Sequence, residues 1–252
     1  MYTKHIVYDQ FIPGVERGYG DNMKRERKTV LFLVILLGTF ILPKLGGPSQ
    51  TPFDLEELCK NIDNSYKCAQ AIERFQLKHY PKYVTRKGNR LELTLKNGKI
   101  KIIENSPETD YDDVEGKHYS FREYIQSVGY FLIHVQYWEG SKFLMVHDKT
   151  GKEFLIPEVP ELSPDKDRLV SVSGGTYQFN GIQIWKFTSG GLVLEWTYEH
   201  KEYDRFTFNA WADNKTIKLY KFTEVKNQFV NIPQILKLEP AGWQLVNEES
   251  SK

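Results

Sequence analysis

Cysteine is nearly absent from this chain: Cys59 and Cys68 are the only two among 252 residues. A structural zinc site needs four ligands, and no second cysteine pair and no histidine beside this one supplies them. Net charge is also missing, since 34 Lys and Arg stand against 33 Asp and Glu. No global field therefore draws the protein to nucleic acid; a local basic stripe stays open, but the basic-patch signature of such proteins is missing and no nucleic-acid partner is expected. No Walker-type glycine loop, no paired-histidine zinc helix and no nucleophile elbow occurs. The glycine-rich "SVSGG" at 171–175 runs from strand into more strand, with no helix start to hold phosphate. No metal and no cofactor is expected.

What is abundant is aromatic: 15 Tyr, 15 Phe and 5 Trp. Aromatic and β-branched side chains suit pleated, half-buried surfaces, so strands are expected to dominate.

The amino end carries the clearest local pattern. Lys24, Arg25, Arg27 and Lys28 directly precede an uncharged run from Val30 to Leu42, closed by Pro43 and Lys44. A basic region followed by a short apolar stretch marks an export signal, and the run is shorter than the ~20 residues of a normal span. No small-x-small cleavage site follows, so an uncleaved anchor with the remaining chain outside is the alternative. "MKRERK" from Met23 reads as a signal start, which makes 1–22 an upstream extension and 23–47 the signal or anchor. The expected location is periplasmic or otherwise extracytoplasmic, with the membrane met through residues 30–42 if they are retained.

Export also suits the two cysteines, which in an oxidising compartment close a small ring as a disulfide. Free thiols are the alternative, and metal binding is the poorest fit. Cys59 stands too far from the apolar run for lipid attachment.

Residues 48–82 read as a linker entering a helix. Over 65–79, "SYKCAQAIERFQLKH" returns apolar residues Tyr66, Ala69, Ile72, Phe75 and Leu77 at mostly helical steps, and Pro81 stops it. Its apolar face is expected to pack on the domain that follows. Beyond Pro81 the period changes. "LELTLKNGKIKII" alternates around Asn97-Gly98, a type I′ hairpin signal. Further hairpins turn at Asp148–Gly151, at Ser189-Gly190-Gly191 and at Pro240-Ala241-Gly242. Strands also fit Tyr130–Tyr137, Leu169–Val172 and Thr216–Phe222. The tips recur every 40–50 residues or so, a blade-sized period. "SPDKDRLVSVSG" at 163–174 has its counterpart one period later in "FTFNAWADNKTIKLYKF".

Such a repeat predicts a mainly β, β-propeller-like fold over 83–252. About four small antiparallel sheets would form a minimal closed ring or an open arc, preceded by a membrane or signal helix and one short packed helix. Stacked sheets hide one another's apolar faces, and Tyr130, Trp138, Trp185 and Trp196 are expected to lead that packing. An open arc would leave strand edges to cover, and the 65–79 helix is the expected cover.

"SPDKDRLVSV" with "GIQIWKF" resembles the blades of TolB-type and related Trp-Asp propellers, although Asp165 lacks the usual following glycine and the fourth copy is degenerate. "CAQAIERFQLKHYP", "LTLKNGK", "QYWEGSKFLMVHDKTGK" and "GIQIWKFTSGGLVLEW" together are similar to a family of uncharacterised exported bacterial proteins. That resemblance spans most of the chain after Cys68 and implies a fold and a compartment, not an activity.

Candidate sites are few. His134, in an alternating strand, is expected to be a satisfied strand residue, and His147, beside a turn, a solvated one. The acidic loop 107–116 groups Glu108, Asp110, Asp112, Asp113 and Glu115 without the spaced, glycine-hinged order of a calcium loop. Catalytic residues are expected to be none, because no carboxylate pair can be chosen from order alone. The aromatic stretch 119–138 is the candidate binding surface, through Tyr119, Arg122, Tyr124, Tyr137 and Trp138, the residue types of binding hot spots. Blade core is the competing use for the same residues. The expected function is a cell-envelope scaffold or binding module, non-enzymatic, for an unidentified protein or ligand. A hydrolase of an envelope glycan or peptide, or a peripheral subunit of a membrane complex, is the alternative.

Overall fold

The computed structural model describes residues 55, 57–106, 116–175, 179–200, 204–226 and 228–247. The predicted extension, the signal or anchor with its apolar run and residues 48–54 of the linker lie outside them. So does the acidic loop at 107–115. Among the described residues no helix is long and apolar enough to cross a membrane.

The helix forms where its period predicts. Helix α1 (Ser65–His79) starts with the Lys67 N–H donating to the Asn64 side chain at 2.9 Å, a standard N-cap. It stops at Tyr80, one residue before Pro81. A disulfide joins Cys68 to Cys59, the last residue of a short 3-10 turn at Glu57–Cys59. The buried side of α1 is Ala69, Ile72, Glu73 and Gln76, so two polar residues share the face that the apolar pattern marks.

After α1, the described elements are all strands of antiparallel sheets. The first sheet has three strands, β1 (Val84–Lys87), β2 (Arg90–Thr94) and β3 (Ile100–Glu104). The second is a four-strand meander of β4 (His118–Ile125), β5 (Tyr130–Tyr137), β6 (Gly140–His147) and β7 (Glu153–Ile156). The third runs through β8 (Glu161–Leu162), β9 (Arg168–Gly174), β10 (Asn180–Thr188) and β11 (Gly191–Glu199). The fourth is β12 (Arg205–Asp213), β13 (Thr216–Val225), β14 (Gln228–Glu239) and β15 (Gly242–Asn247).

Three apolar clusters hold neighbouring sheets together. Leu91, Leu93 and Ile103 of the first sheet meet Phe121, Phe131 and Val146 of the second. On the other face of the second, Tyr130, Leu132 and Met145 meet Leu169 and Leu192 of the third. Val170, Ile182 and Ile184 then meet Phe206, Ile217 and Leu236 of the fourth. Each fully buried side chain of this size contributes about 1.5–3 kcal/mol. Among the described residues no apolar cluster joins the fourth sheet back to the first. Among the described residues the propeller-like stack is thus an open arc, with Ile102 of the first sheet and Phe229 of the fourth left exposed.

The repeat is visible in the turns. Ser163–Asp167 links the first two strands of the third sheet and Asn214-Lys215 those of the fourth, and the Asp165 N–H donates to Asn214 Oδ1 at 3.1 Å. The last turns of successive sheets also touch. The Asn97 amide donates to the Lys149 carbonyl at 2.8 Å, and Lys152 Nζ reaches the Gly190 carbonyl at 3.4 Å. By that alignment the first sheet lacks an innermost strand. Helix α1 packs at this place, along the free edge of β4, where the Phe121 N–H donates to Glu73 at 2.7 Å. The helix covers that edge of the second sheet.

Two expectations need correction. Asn97 does not adopt the positive φ of a type I′ turn. Gly98 alone does, at +80°, and the Asn97 carboxamide oxygen instead accepts the Lys99 N–H at 2.9 Å. The result is a type I turn with a glycine bulge. Trp138 does not join the stacking: it sits at the β5–β6 turn, 68% exposed. Tyr130, Trp185 and Trp196 do pack against the cores between sheets.

Candidate functional site

A group of perturbed side chains lies on the inner strands where the second sheet meets the third. Strand β4 carries a bulge there. Phe121 pairs with Ile133 and Glu123 with Leu132, which leaves Arg122 as the extra residue. A bulge re-aims a side chain, and Arg122 lies with its guanidinium 5.8 Å from the centre of the Phe143 ring. Ser120, His134 and Phe143 are register partners across β4, β5 and β6, so they line one face beside it.

The connection from β7 to β8 supplies the opposite wall. Ser171 pins it, donating to the Glu158 carbonyl at 3.0 Å and accepting the Glu158 N–H at 2.9 Å. Glu161 follows on β8, and its carbonyl accepts the Trp211 indole N–H of β12 at 3.1 Å. The inner strands β8 and β12 are thus tied together beside the bulge of β4.

The electrostatics of this wedge are uneven. Burial raises the proton affinity of Glu123, and Arg122 only partly opposes it. Glu158 is raised the same way, against its bond from the Val159 N–H and the pull of Arg122. Glu161 is raised by burial and then by the charge of Glu123, with Arg122 again opposing. Glu161 is open to water on one flank, so solvent relieves its rise most. His134 goes the other way, lowered to about 4 by burial and by the Arg122 charge. It is a neutral imidazole at physiological pH. Three carboxylates around one guanidinium leave an excess of negative charge in partly desolvated surroundings, a place that favours either a proton or a cation.

Beside the wedge is a cavity of about 140 Å3. Cys68, Ala69 and Ile72 of α1 form one wall; Ser120, Arg122, His134 and Phe143 form the other. Its volume matches one side chain or a small ring, well under the roughly 300 Å3 of the smallest ordinary ligand pockets. Among the described residues no group of three or more His, Cys, Asp or Glu side chains is placed to hold a metal ion.

Of the five residues read from sequence as a binding surface, only Arg122 lies in this site. Tyr124 is 4% exposed and donates its hydroxyl to buried Asp148 at 2.7 Å. Tyr119 and Tyr137 pack against the first core, and the Tyr119 carbonyl accepts from Arg86 at 2.5 Å. Trp138 stands alone at its turn. The five do not form one surface, because strand alternation sends most of the aromatics to the core.

His134 is a strand residue, as expected, but one that borders a cavity. His147 is only part-exposed, with Nδ1 2.9 Å from the Thr150 hydroxyl. Sequence reading missed Glu123, Glu158 and Glu161. One signal for the first was present: two adjacent charges, Arg122-Glu123, break the alternation between Phe121 and Tyr124, as a bulge does.

No family model matches the chain, and no curated protein matches it. Among solved structures, it is similar to a protein from Bacteroides fragilis titled a candidate 6-phosphogluconolactonase. Identity is 13%, coverage 66% of this chain and 68% of that one, and TM-score 0.33. A counterpart from Bacteroides uniformis is 12% identical, with 66% of this chain and 55% of that one covered and a TM-score of 0.32. This chain thus spans about half the length of the second. Likeness this low does not bear on what this chain does.

Proposed function

We propose that the chain is a non-enzymatic binding module of the cell envelope, which grips one side chain of a protein partner between α1 and the second sheet. The observation that carries this reading is the side-chain-sized cavity under α1, apolar at Ala69, Ile72 and Phe143 and rimmed by Arg122. Behind Arg122, the carboxylates of Glu123, Glu158 and Glu161 suit a neighbouring cationic group. The partner segment is therefore an apolar residue next to a lysine or arginine. The Cys59–Cys68 disulfide and the basic-then-apolar stretch at 24–42 support an extracytoplasmic location. So does the resemblance to exported proteins.

The test is cross-linked capture from the envelope fraction with wild type, Ala69→Leu, which fills the cavity, and Arg122→Gln. A protein captured by wild type and lost from both variants, with unchanged thermal melting, supports the reading. Identical captures by all three end it.

A second reading has one observation in its favour. Burial raises the proton affinity of Glu123, Glu158 and Glu161, the direction that suits a general acid. A hydrolase of an envelope glycan or peptide would use one of them, and Glu123→Gln, Glu158→Gln or Glu161→Gln would abolish turnover of envelope fragments. Hydrolysis that survives all three variants removes that alternative.

A further inference from the structure

Both ends of the arc present apolar side chains. On the first sheet, Leu91, Leu93 and Ile103 face the core, so alternation turns Glu92, Thr94, Ile100 and Ile102 outward. Ile100 and Ile102 are 59% and 49% exposed. On the fourth sheet, Ile217, Leu219 and Leu236 face inward. The register then places Tyr220 opposite Pro233 and Glu224 opposite Phe229 on the outer side. Phe229 is 62% exposed, and its ring stacks on Phe222 with centroids 5.1 Å apart.

We propose that these two faces meet between two copies of this chain, the fourth sheet of each against the first sheet of the other, to close a twofold ring of eight sheets. Size argues for two contacts rather than one. With strands ~4.8 Å apart and ~3.3 Å per residue, a face of three to four strands covers roughly 400 Å2. A specific complex needs roughly 800 Å2 per partner, so a single contact is half of what is required and a closed pair reaches it. Count agrees, since the chain has four sheets and propellers typically run from about four to eight blades. The packing is of the kind already used three times inside the chain, sheet face on sheet face with apolar residues between. On the first sheet charge does not oppose it, since the outer charges are paired as Lys87–Glu92 and Arg90–Glu104, at 2.8 and 3.0 Å. The inference is independent of the cavity under α1.

The test uses the full chain in detergent, with light-scattering mass measured on a sizing column and detergent mass subtracted. Wild type is expected at twice the 29.5 kDa of the chain. Ile102→Asp and Phe229→Asp each place an unpaired charge in both contacts, and each is expected to raise the dissociation constant roughly tenfold or more. Their circular dichroism and melting should match wild type, since both positions are exposed. A photo-crosslinker at position 102 should yield a dimer joined to peptides of β13 or β14. Wild type that stays a single chain at about 100 µM overturns the proposal. So does a mass that keeps growing with concentration, which means open chains, or a crosslink from 102 to 102. Monomers that bind anionic vesicles through Phe229 overturn it too, because a lipid surface is then what covers that face.

Discussion

Glu73 on α1 and Arg86 on β1 form a two-toothed ion pair, with Arg86 Nε and Nη2 at 2.9 and 2.6 Å from the carboxylate. The same carboxylate takes the Phe121 N–H of β4, and Arg86 also reaches the Tyr119 carbonyl. One pair therefore ties the helix to two sheets. Removing one partner leaves a largely buried charge alone, at a cost of ~3 kcal/mol or more. Glu73→Ala should lower the urea midpoint by a matching amount, and Glu73→Gln, which keeps an acceptor for the Phe121 N–H, should lower it less. Equal loss in the two variants would mean that the acceptor is immaterial.

His134 gives the fold an acid-sensitive point. In the folded chain its imidazole is lowered to about 4, whereas unfolded histidine protonates near 6.5. Between those values the unfolded state binds more protons, so stability falls as pH drops through that window, by about 3 kcal/mol in full. The difference between wild type and His134→Gln, followed by denaturant melts from pH 7 to pH 4, should show that loss. A difference curve flat with pH would contradict it.

The carboxylates act in the opposite sense. Glu123 and Glu158 bind protons more tightly folded than unfolded, so they cost stability as pH rises above their unfolded range. Glu123→Gln should therefore melt higher than wild type at pH 8, and the gain should shrink toward pH 4. A gain that grows on acidification would refute the raised affinity.

Gly181 opens β10 against β11, and a Cβ there would stand 2.0 Å from the Tyr198 carbonyl oxygen. Backbone has to move, not a flexible side chain. Gly181→Ala is expected to cost ~2 kcal/mol or more in a chemical melt, while Gly88→Ala, with open space around it, should cost roughly 1 kcal/mol from its positive φ alone.

How far the sequence carried can be seen in particular elements. The limits of α1 were legible because cap, period and Pro81 all agree. The hairpin tips were legible because glycine and alternation mark them, and the turn at Ser163 could be aligned with that at Asn214. Polar residues inside were not legible: Glu73 and Gln76 look like a solvated flank until Arg86 arrives from a strand. The wedge was hidden for a related reason. Glu123 adjoins Arg122 in the chain, but Glu158 and Glu161 stand on a linker and on another sheet, and only sheet stacking brings them near Arg122. The aromatics misled because strand core and recognition surface use the same residues, and only register tells which way Tyr124 points.

The ties between turns of neighbouring sheets, Asn97 to Lys149 and Lys152 to Gly190, bear on how the chain comes apart. Modular arrays often lose their terminal units first, each fraying by its own small free energy. Here an end unit cannot peel away without breaking bonds that its neighbour shares, so the modules should melt in one cooperative step.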